Sequence, residues 1–327
     1  MRIEWIEKIG LAGSLEYGAI GLGKEIRFYP LNQCHSCSIK SSKLIASAIG
    51  EFIIFAQIAT MSEKITSVQN PGIKNILKLQ QKSRERREQN LMVIEGFREI
   101  NLAMTSGFAV QMLYVCPEIA HGEELSTLTA IAGSSKITEV SPEVFEKIAY
   151  REGSDGLLAL TIPLYRSLDE LQLSDNPLIV VLEAVEKPGN LGAILRTADA
   201  AKVDAVVICD PLCDIYNPNT IRASIGCVFT NQVVTCTTGE ALDYFQRKKI
   251  KTFAAALTAQ KFYHETDFTI PCALVMGTEA FGLTGKWLDS ATAQIKIPML
   301  GRIDSLNVST STAILVFEAK RQRKFIQ

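Results

Sequence analysis

Histidine is scarce in this chain, with three in 327 residues, and His121 and His264 read as loop or surface positions. An imidazole general base is therefore not the expected source of any chemistry. The close pair Cys34 and Cys37, in CHSC, lacks the further thiolate or imidazole ligands that a structural zinc site needs, so no metal is expected. Net charge is also nearly absent, at −1. A polyanionic partner must then be held by local basic patches, because the overall field does not attract one. The eight cysteines form no regular framework, and Cys209, Cys227 and Cys272 sit in or beside apolar segments, as reduced core thiols do in the cytosol. Leu44 to Met61 is close to the lower length limit of a membrane helix, but Glu51 and Gln57 interrupt it and no basic cluster opens the chain. Neither a membrane span nor a signal peptide is expected, and the segment reads as a soluble helix. No internal repeat or low-complexity tract is visible.

At 327 residues, with 47% apolar and 21% charged residues, the chain fits a folded α/β protein of two ordinary domains. Residues 1–61 carry no usable motif; Met61 is followed at once by a basic helix, so it reads as a possible natural start. From Ser62 to Pro163, short apolar runs such as LMVIEG and VQMLYVC alternate with helical stretches, which describes a small α/β domain. LYRSLDELQLSDN, residues 164–176, is polar and is closed by a turn-prone Asn-Pro at Asn176 and Pro177, so it reads as a linker. LIVVLEAV then opens a second α/β unit over 177–327, its continuous apolar run being what a parallel strand covered on both faces requires.

Local charge appears at the front. NPGIKNILKLQQKSRERREQ places Pro71 near a helix start and sets Ile73, Ile76, Leu77 and Leu79 at helical spacing. Between Lys74 and Glu88 there are six Lys or Arg against two Glu. The candidate phosphate contacts are Lys74, Lys78, Arg84, Arg87 and, in the next helix, Arg98. A solvated helix face is the alternative reading.

Three later loops carry polar groups at strand ends, where ligands bind in open α/β sheets. In EKPGNLGAILRTADAAK, Pro188 and Gly189 read as a turn, Asn190 as an N-cap, and Leu191, Ile194, Leu195 and Ala198 as a stripe facing the sheet. Gly189, Gly192 and Ala193 leave the other face bare for a backbone or ligand, with Arg196 beside it as a fixed cation. In CALVMGTEAFGLT, Glu279 is the loop's one carboxylate, expected to stay ionised next to Arg196 and to orient the guanidinium. In IKIPMLGRIDSLNVSTSTAILVFEAKRQRK, Pro298 interrupts a strand and Ser305 or Asn307 can cap the helix that follows. The turn GNLGAIL lacks the G-x-G-x-x-G spacing of a dinucleotide site, which weighs against an oxidoreductase.

In this order the three segments resemble the signature motifs of the SpoU family of RNA 2′-O-methyltransferases, also called the TrmH family. The preceding NPGIKNILKL…LMVIEGFREINLA is similar to the ribosomal-protein-like RNA-binding domain carried by rRNA-directed members. The resemblance implies a C-terminal parallel sheet tied in a deep trefoil knot, a cytoplasmic homodimer, and S-adenosylmethionine as methyl donor to an RNA ribose. rRNA is the favoured target; tRNA, or RNA binding without catalysis, are the alternatives. It also implies site residues. Asn190 and Arg196 would meet the ribose and its phosphate, Glu279 would support the arginine, and Ser305 and Asn307 would complete the catalytic set. Gly277, Gly282, Leu283, Ile297, Met299, Leu306 and Ser309 would hold the cofactor. Ala201 and Lys202 depart from the family's usual aromatic-glycine pair, and Ala280 stands where glycine is common.

Overall fold

The computed structural model describes residues 17–21, 26–30, 64–132, 136–151 and 153–325. The Cys34 and Cys37 pair and the apolar stretch Leu44 to Met61 lie outside the described residues. Two compact units are present, Met1–Met61 and Ser62–Gln327. In the first, β1 (Tyr17–Gly21) pairs antiparallel with β2 (Ile26–Pro30). Among the described residues no helix is long and apolar enough to cross a membrane.

The second unit holds two sheets. Its front part begins with α1 (Pro71–Gln81), whose start is fixed by Pro71 in the first turn and by the Asn70 side chain accepting from the Gly72 N–H. The basic stretch is not one helix. Lys82 takes an extended conformation with φ −118°, and α2 (Ser83–Gln89) starts after it. The break turns Arg86 inward, as described below.

β3 (Met92–Glu95), β4 (Val110–Val115), β5 (Lys136–Glu139) and β6 (Leu157–Thr161) make a four-stranded sheet in the order β3-β6-β4-β5. Ile73, Ile76 and Leu79 of α1 pack with Val144, Phe145 and Ile148 of α5 (Pro142–Ile148) over Val93, Tyr114 and Leu158. α3 (Phe97–Thr105) buries Ile100 and Ala103, and α4 (Gly122–Ala132) connects β4 to β5.

The C-terminal part is a seven-stranded sheet in which every pairing is parallel. Its strands are β7 (Leu178–Glu183), β8 (Ala205–Cys209), β9 (Val233–Cys236), β10 (Lys251–Ala255), β11 (Lys261–Phe262), β12 (Cys272–Met276) and β13 (Ala293–Lys296). The order across the sheet is β11-β13-β10-β12-β7-β8-β9. All six residues of β7 are buried, as an apolar run covered on both faces should be.

One face buries Ile179, Val181, Val207 and Val275 against Ala241, Tyr244 and Phe245 of α9 (Thr238–Lys248) and Trp287 of α10 (Gly285–Ser290). The other carries α6 (Pro188–Ala200) and α11 (Val308–Gln322), which touch each other. Leu191, Ile194, Leu195 and Ala198 of α6 are buried, as their spacing predicts. Gly192 serves packing against a backbone: a Cβ there would stand 2.5 Å from the Ala223 Cβ and 2.8 Å from the Ser224 N, at the end of α7 (Pro218–Ala223). Lys202 has a left-handed φ of 48°, which accounts for glycine being the comfortable residue at that position.

The two sheets are joined through buried contacts. Arg86 is 3% exposed, its Nε 2.6 Å from Asp214 Oδ2, and its Nη1 donates to the Leu79 carbonyl. Phe108 meets Phe229, of the short α8 (Cys227–Thr230), edge-on at 5.0 Å between centroids and Tyr216 at 6.1 Å. Gly226, at φ 83°, leaves room for Leu102 of α3.

Candidate active site at the strand ends

Three loops converge at the C-terminal ends of the parallel strands. The first runs from β7 into α6. Pro188 gives up no helical N–H and its fixed φ suits the first helical turn, so the helix starts there and Lys187, not Asn190, takes the cap position. Asn190 is thus inside the helix, and its side chain is free to reach across. The second loop follows β12. Thr278 and Gly282 exchange backbone hydrogen bonds of 3.0 Å in both directions, closing a tight turn with Gly282 at φ 68°. Gly277 permits that closure, since a Cβ on it would lie 2.2 Å from the Gly282 carbonyl carbon. The third loop follows β13 and ends at Asn307, the N-cap of α11.

Glu279 is where they meet. Its Oε1 accepts from Asn190 Nδ2 at 2.6 Å and from Asn307 Nδ2 at 2.7 Å, and its Oε2 accepts from the Lys187 ammonium. Asn307 Nδ2 also lies 3.2 Å from Asn190 Oδ1. The amide orientation follows from the cap. Asn307 Oδ1 accepts from the Ser309 N–H at 2.9 Å and the Ser309 hydroxyl at 2.6 Å, so its NH2 group must face the carboxylate. The Lys187 ammonium, and after it the Asn190 amide, hold the Glu279 carboxyl below the usual carboxylate range, while Glu279 raises Lys187 in return. At neutral pH the rim of this site is an ionised carboxylate under one cation and two amides.

The predicted residues separate into groups. Asn190, Glu279, Asn307 and Ser309 form one network. Arg196 does not join it. Six residues beyond Asn190, it lies about 9 Å further along α6 and roughly 120° around the helix, and its exposed side chain makes no hydrogen bond or ion pair among the described residues. Within the chain, Lys187 and not Arg196 is the cation that Glu279 meets. Ser305 is exposed and donates to Asp304 Oδ1 at 3.0 Å, apart from the network. Gly277, Gly282 and buried Leu283 form the base of the β12 turn, while Ile297, Met299 and Leu306 are half-buried along the third loop. Among the described residues no N–H or C=O between Met299 and Leu306 joins a backbone hydrogen bond. Free backbone donors and acceptors beside half-buried apolar side chains are the chemistry that binds an adenine edge, so the residues present fit S-adenosylmethionine.

At the front, Lys74, Lys78, Arg84, Arg87 and Arg98 are all exposed, although Arg84 pairs with Glu88 at 2.6 Å. Arg86, part of the same basic run, faces Asp214 instead of solvent. Sequence reasoning missed Lys187, whose signal was a cation directly before the helix-starting proline, and Glu183, whose signal was a carboxylate closing an otherwise apolar strand.

Residues 177–317 match the SpoU rRNA Methylase family, and residues 70–159 match the MRM3-like substrate binding domain. An uncharacterized tRNA/rRNA methyltransferase of Synechocystis is 30% identical, over 79% of this chain and 94% of its own length. A 23S rRNA (guanosine(2553)-2′-O)-methyltransferase of Bacillus subtilis is 29% identical, over 79% of this chain and 99% of its own. Among solved structures, the AdoMet-bound rRNA methyltransferase from Sinorhizobium meliloti superposes with a TM-score of 0.72 at 29% identity, covering 79% of this chain and 97% of that one.

Proposed function

The chain belongs to the SpoU rRNA methylase family, and from that premise we propose that it transfers the methyl group of S-adenosylmethionine to a ribose 2′-hydroxyl of RNA, with rRNA the favoured target. With the family comes the deep trefoil knot in the C-terminal part of the parallel sheet. The observation that carries the assignment is the meeting of Asn190, Glu279 and Asn307, distant in sequence, at one point above the strand ends.

When bound, S-adenosylmethionine supplies a methyl group that is already strongly electrophilic. What remains for the protein is alignment of the hydroxyl and removal of one proton. Gly277, Gly282, Leu283, Ile297, Met299, Leu306 and Ser309 hold the donor. Glu279 fixes the spacing between Asn190 and Asn307, and Asn190, which keeps one amide N–H and one oxygen lone pair unused, receives the ribose. Ser305, on the exposed loop before Asn307, closes over the substrate. Arg196 meets the neighbouring phosphate and acts electrostatically, since a guanidinium is a poor base.

The front domain, residues 62–163, presents Lys74, Lys78, Arg84, Arg87 and Arg98 to the RNA backbone, 164–176 is the linker, and 177–327 is the catalytic domain. The enzyme works in the cytoplasm as a homodimer. Support for the dimer comes from Arg196, which is turned away from the Glu279 network of its own chain and is available to a second copy. Co-producing Arg196→Ala and Glu279→Ala chains should then restore about a quarter of the active sites, because half the dimers are mixed and each carries one complete site. No recovery in the mixture would place Arg196 in its own chain's site. The assignment itself is tested by mapping ribose methylation in total RNA with and without the gene: one lost 2′-O-methyl mark names the target, and an unchanged map refutes the activity.

A further inference from the structure

Glu183, the last residue of β7, is 2% exposed and meets no cation among the described residues. Its Oε2 accepts the Thr284 N–H at 2.8 Å, and its Oε1 accepts the Thr284 hydroxyl at 2.6 Å. The Thr238 hydroxyl stands 3.3 Å from Oε1 but lies closer to Asp210, at 2.7 Å, and a hydroxyl has one proton to give. Thr284 is therefore the partner that satisfies this carboxylate. A buried carboxylate is unfavourable unless donors saturate it, so its place in an otherwise apolar strand calls for a reason.

Thr284 supplies one. It occupies the cap position of α10 yet makes no side-chain cap there, its hydroxyl being used on Glu183. Immediately before it lies the closed turn in which Thr278 and Gly282 bond each other and Gly277 has no room for a Cβ. A turn so closed moves as one piece with its two ends. One end continues from β12, and the other is tied to β7 through Glu183. Four residues beyond Glu183, Lys187 grips the same turn at Glu279. The β7 end thus holds the turn at two points, one in the interior and one at the rim.

We propose that Glu183 is a positioning residue that sets the placement of the Gly277–Leu283 turn through Thr284, and with it the methyl-donor site. The proposal rests on the assignment of S-adenosylmethionine to that turn. It works by geometry, not charge. Glutamine at 183 can accept the Thr284 N–H through its oxygen while its NH2 donates to the hydroxyl, so Glu183→Gln should rescue what Glu183→Ala loses.

Two measurements test this on the full-length protein. Without ligand, hydrogen exchange at the Thr284 amide should lose protection in Glu183→Ala and keep it in Glu183→Gln. By calorimetry, S-adenosylmethionine should bind about tenfold more weakly to Glu183→Ala and to Thr284→Val, and within about threefold of wild type to Glu183→Gln. Effects of Glu183→Ala and Thr284→Val should be far from additive in the double variant. In kinetics the loss should fall on KM for the donor, with kcat near wild type at saturation. Should Glu183→Ala fail to fold, Thr284→Val and Glu183→Gln carry the comparison alone. Wild-type binding that persists unchanged in Thr284→Val and Glu183→Ala, or a glutamine variant as weak as alanine, overturns the proposal. Wild-type protein that binds no S-adenosylmethionine refutes the functional assignment instead, and the exchange measurement still reports on Glu183.

Discussion

Glu183 anchors the Gly277–Leu283 turn from β7 and Glu279 belongs to the turn itself, and the surroundings of these two carboxylates differ sharply. The interior one has one donor on each oxygen, a hydroxyl and a backbone N–H, with no cation among the described residues. The rim one has a 28% exposed side chain and is held by an ammonium and two amides. A similar contrast separates Arg86, buried against Asp214, from Lys74 and Lys78 on the neighbouring surface. Interior charges here fix where segments sit; outward charges are left to meet a substrate. Interior substitutions should therefore appear as stability or placement defects, and outward ones as defects in binding, rate or pH response.

The strongest test of that division is Arg86→Ala. It leaves the largely covered Asp214 carboxylate, 11% exposed, without its cation and should cost about 3 kcal/mol in urea unfolding. A loss below about 1 kcal/mol would show that the joint between the two sheets does not depend on this pair. Next, Asn307→Ala should lower kcat/KM by about a hundredfold with the fold intact, because a displacement of about 1 Å at the reacting groups suffices for that. A stability defect without a rate defect would move Asn307 from the outward class to the interior one.

A smaller effect is expected from Lys74→Gln with Lys78→Gln. RNA affinity should fall several-fold and the dependence of log K on log salt should flatten by roughly 0.7–0.9 for each phosphate no longer neutralised, with melting unchanged. The smallest is Lys187→Met. Glu279 has a lowered pKa, so its contribution is complete above the ordinary carboxylate range and is lost as pH falls through the folded-state value. Without the ammonium that value rises back toward the ordinary carboxylate range, so the acid limb of kcat/KM should move up in pH while activity near pH 7 changes little. An acid limb that stays in place would remove Lys187 from the network.

Much of this architecture is readable from residue order. The apolar run ending in Glu183 announces a covered parallel strand, and Leu191, Ile194, Leu195 and Ala198 announce the buried side of α6, because burial periodicity is local. Asn307 as an N-cap is equally local. Asn190 looks like a cap in the sequence because Pro188 and Asn190 each favour a helix start, and in the fold the proline, with no N–H to satisfy, prevails. The break at Lys82, which turns Arg86 inward, has no comparable signal in the basic run.

By itself, then, the sequence settled the types and order of the elements, the apolar sides they bury, and the three polar loops at strand ends, because propensity, caps and hydrophobic period act over a few residues. Only the tertiary structure decided that Lys187 and not Arg196 meets Glu279, that Arg86 lies inside while Lys74 does not, and that Glu183 grips Thr284. Those outcomes depend on helix phase and on segments some ninety to a hundred and thirty residues apart being packed within hydrogen-bond distance, which no local pattern encodes.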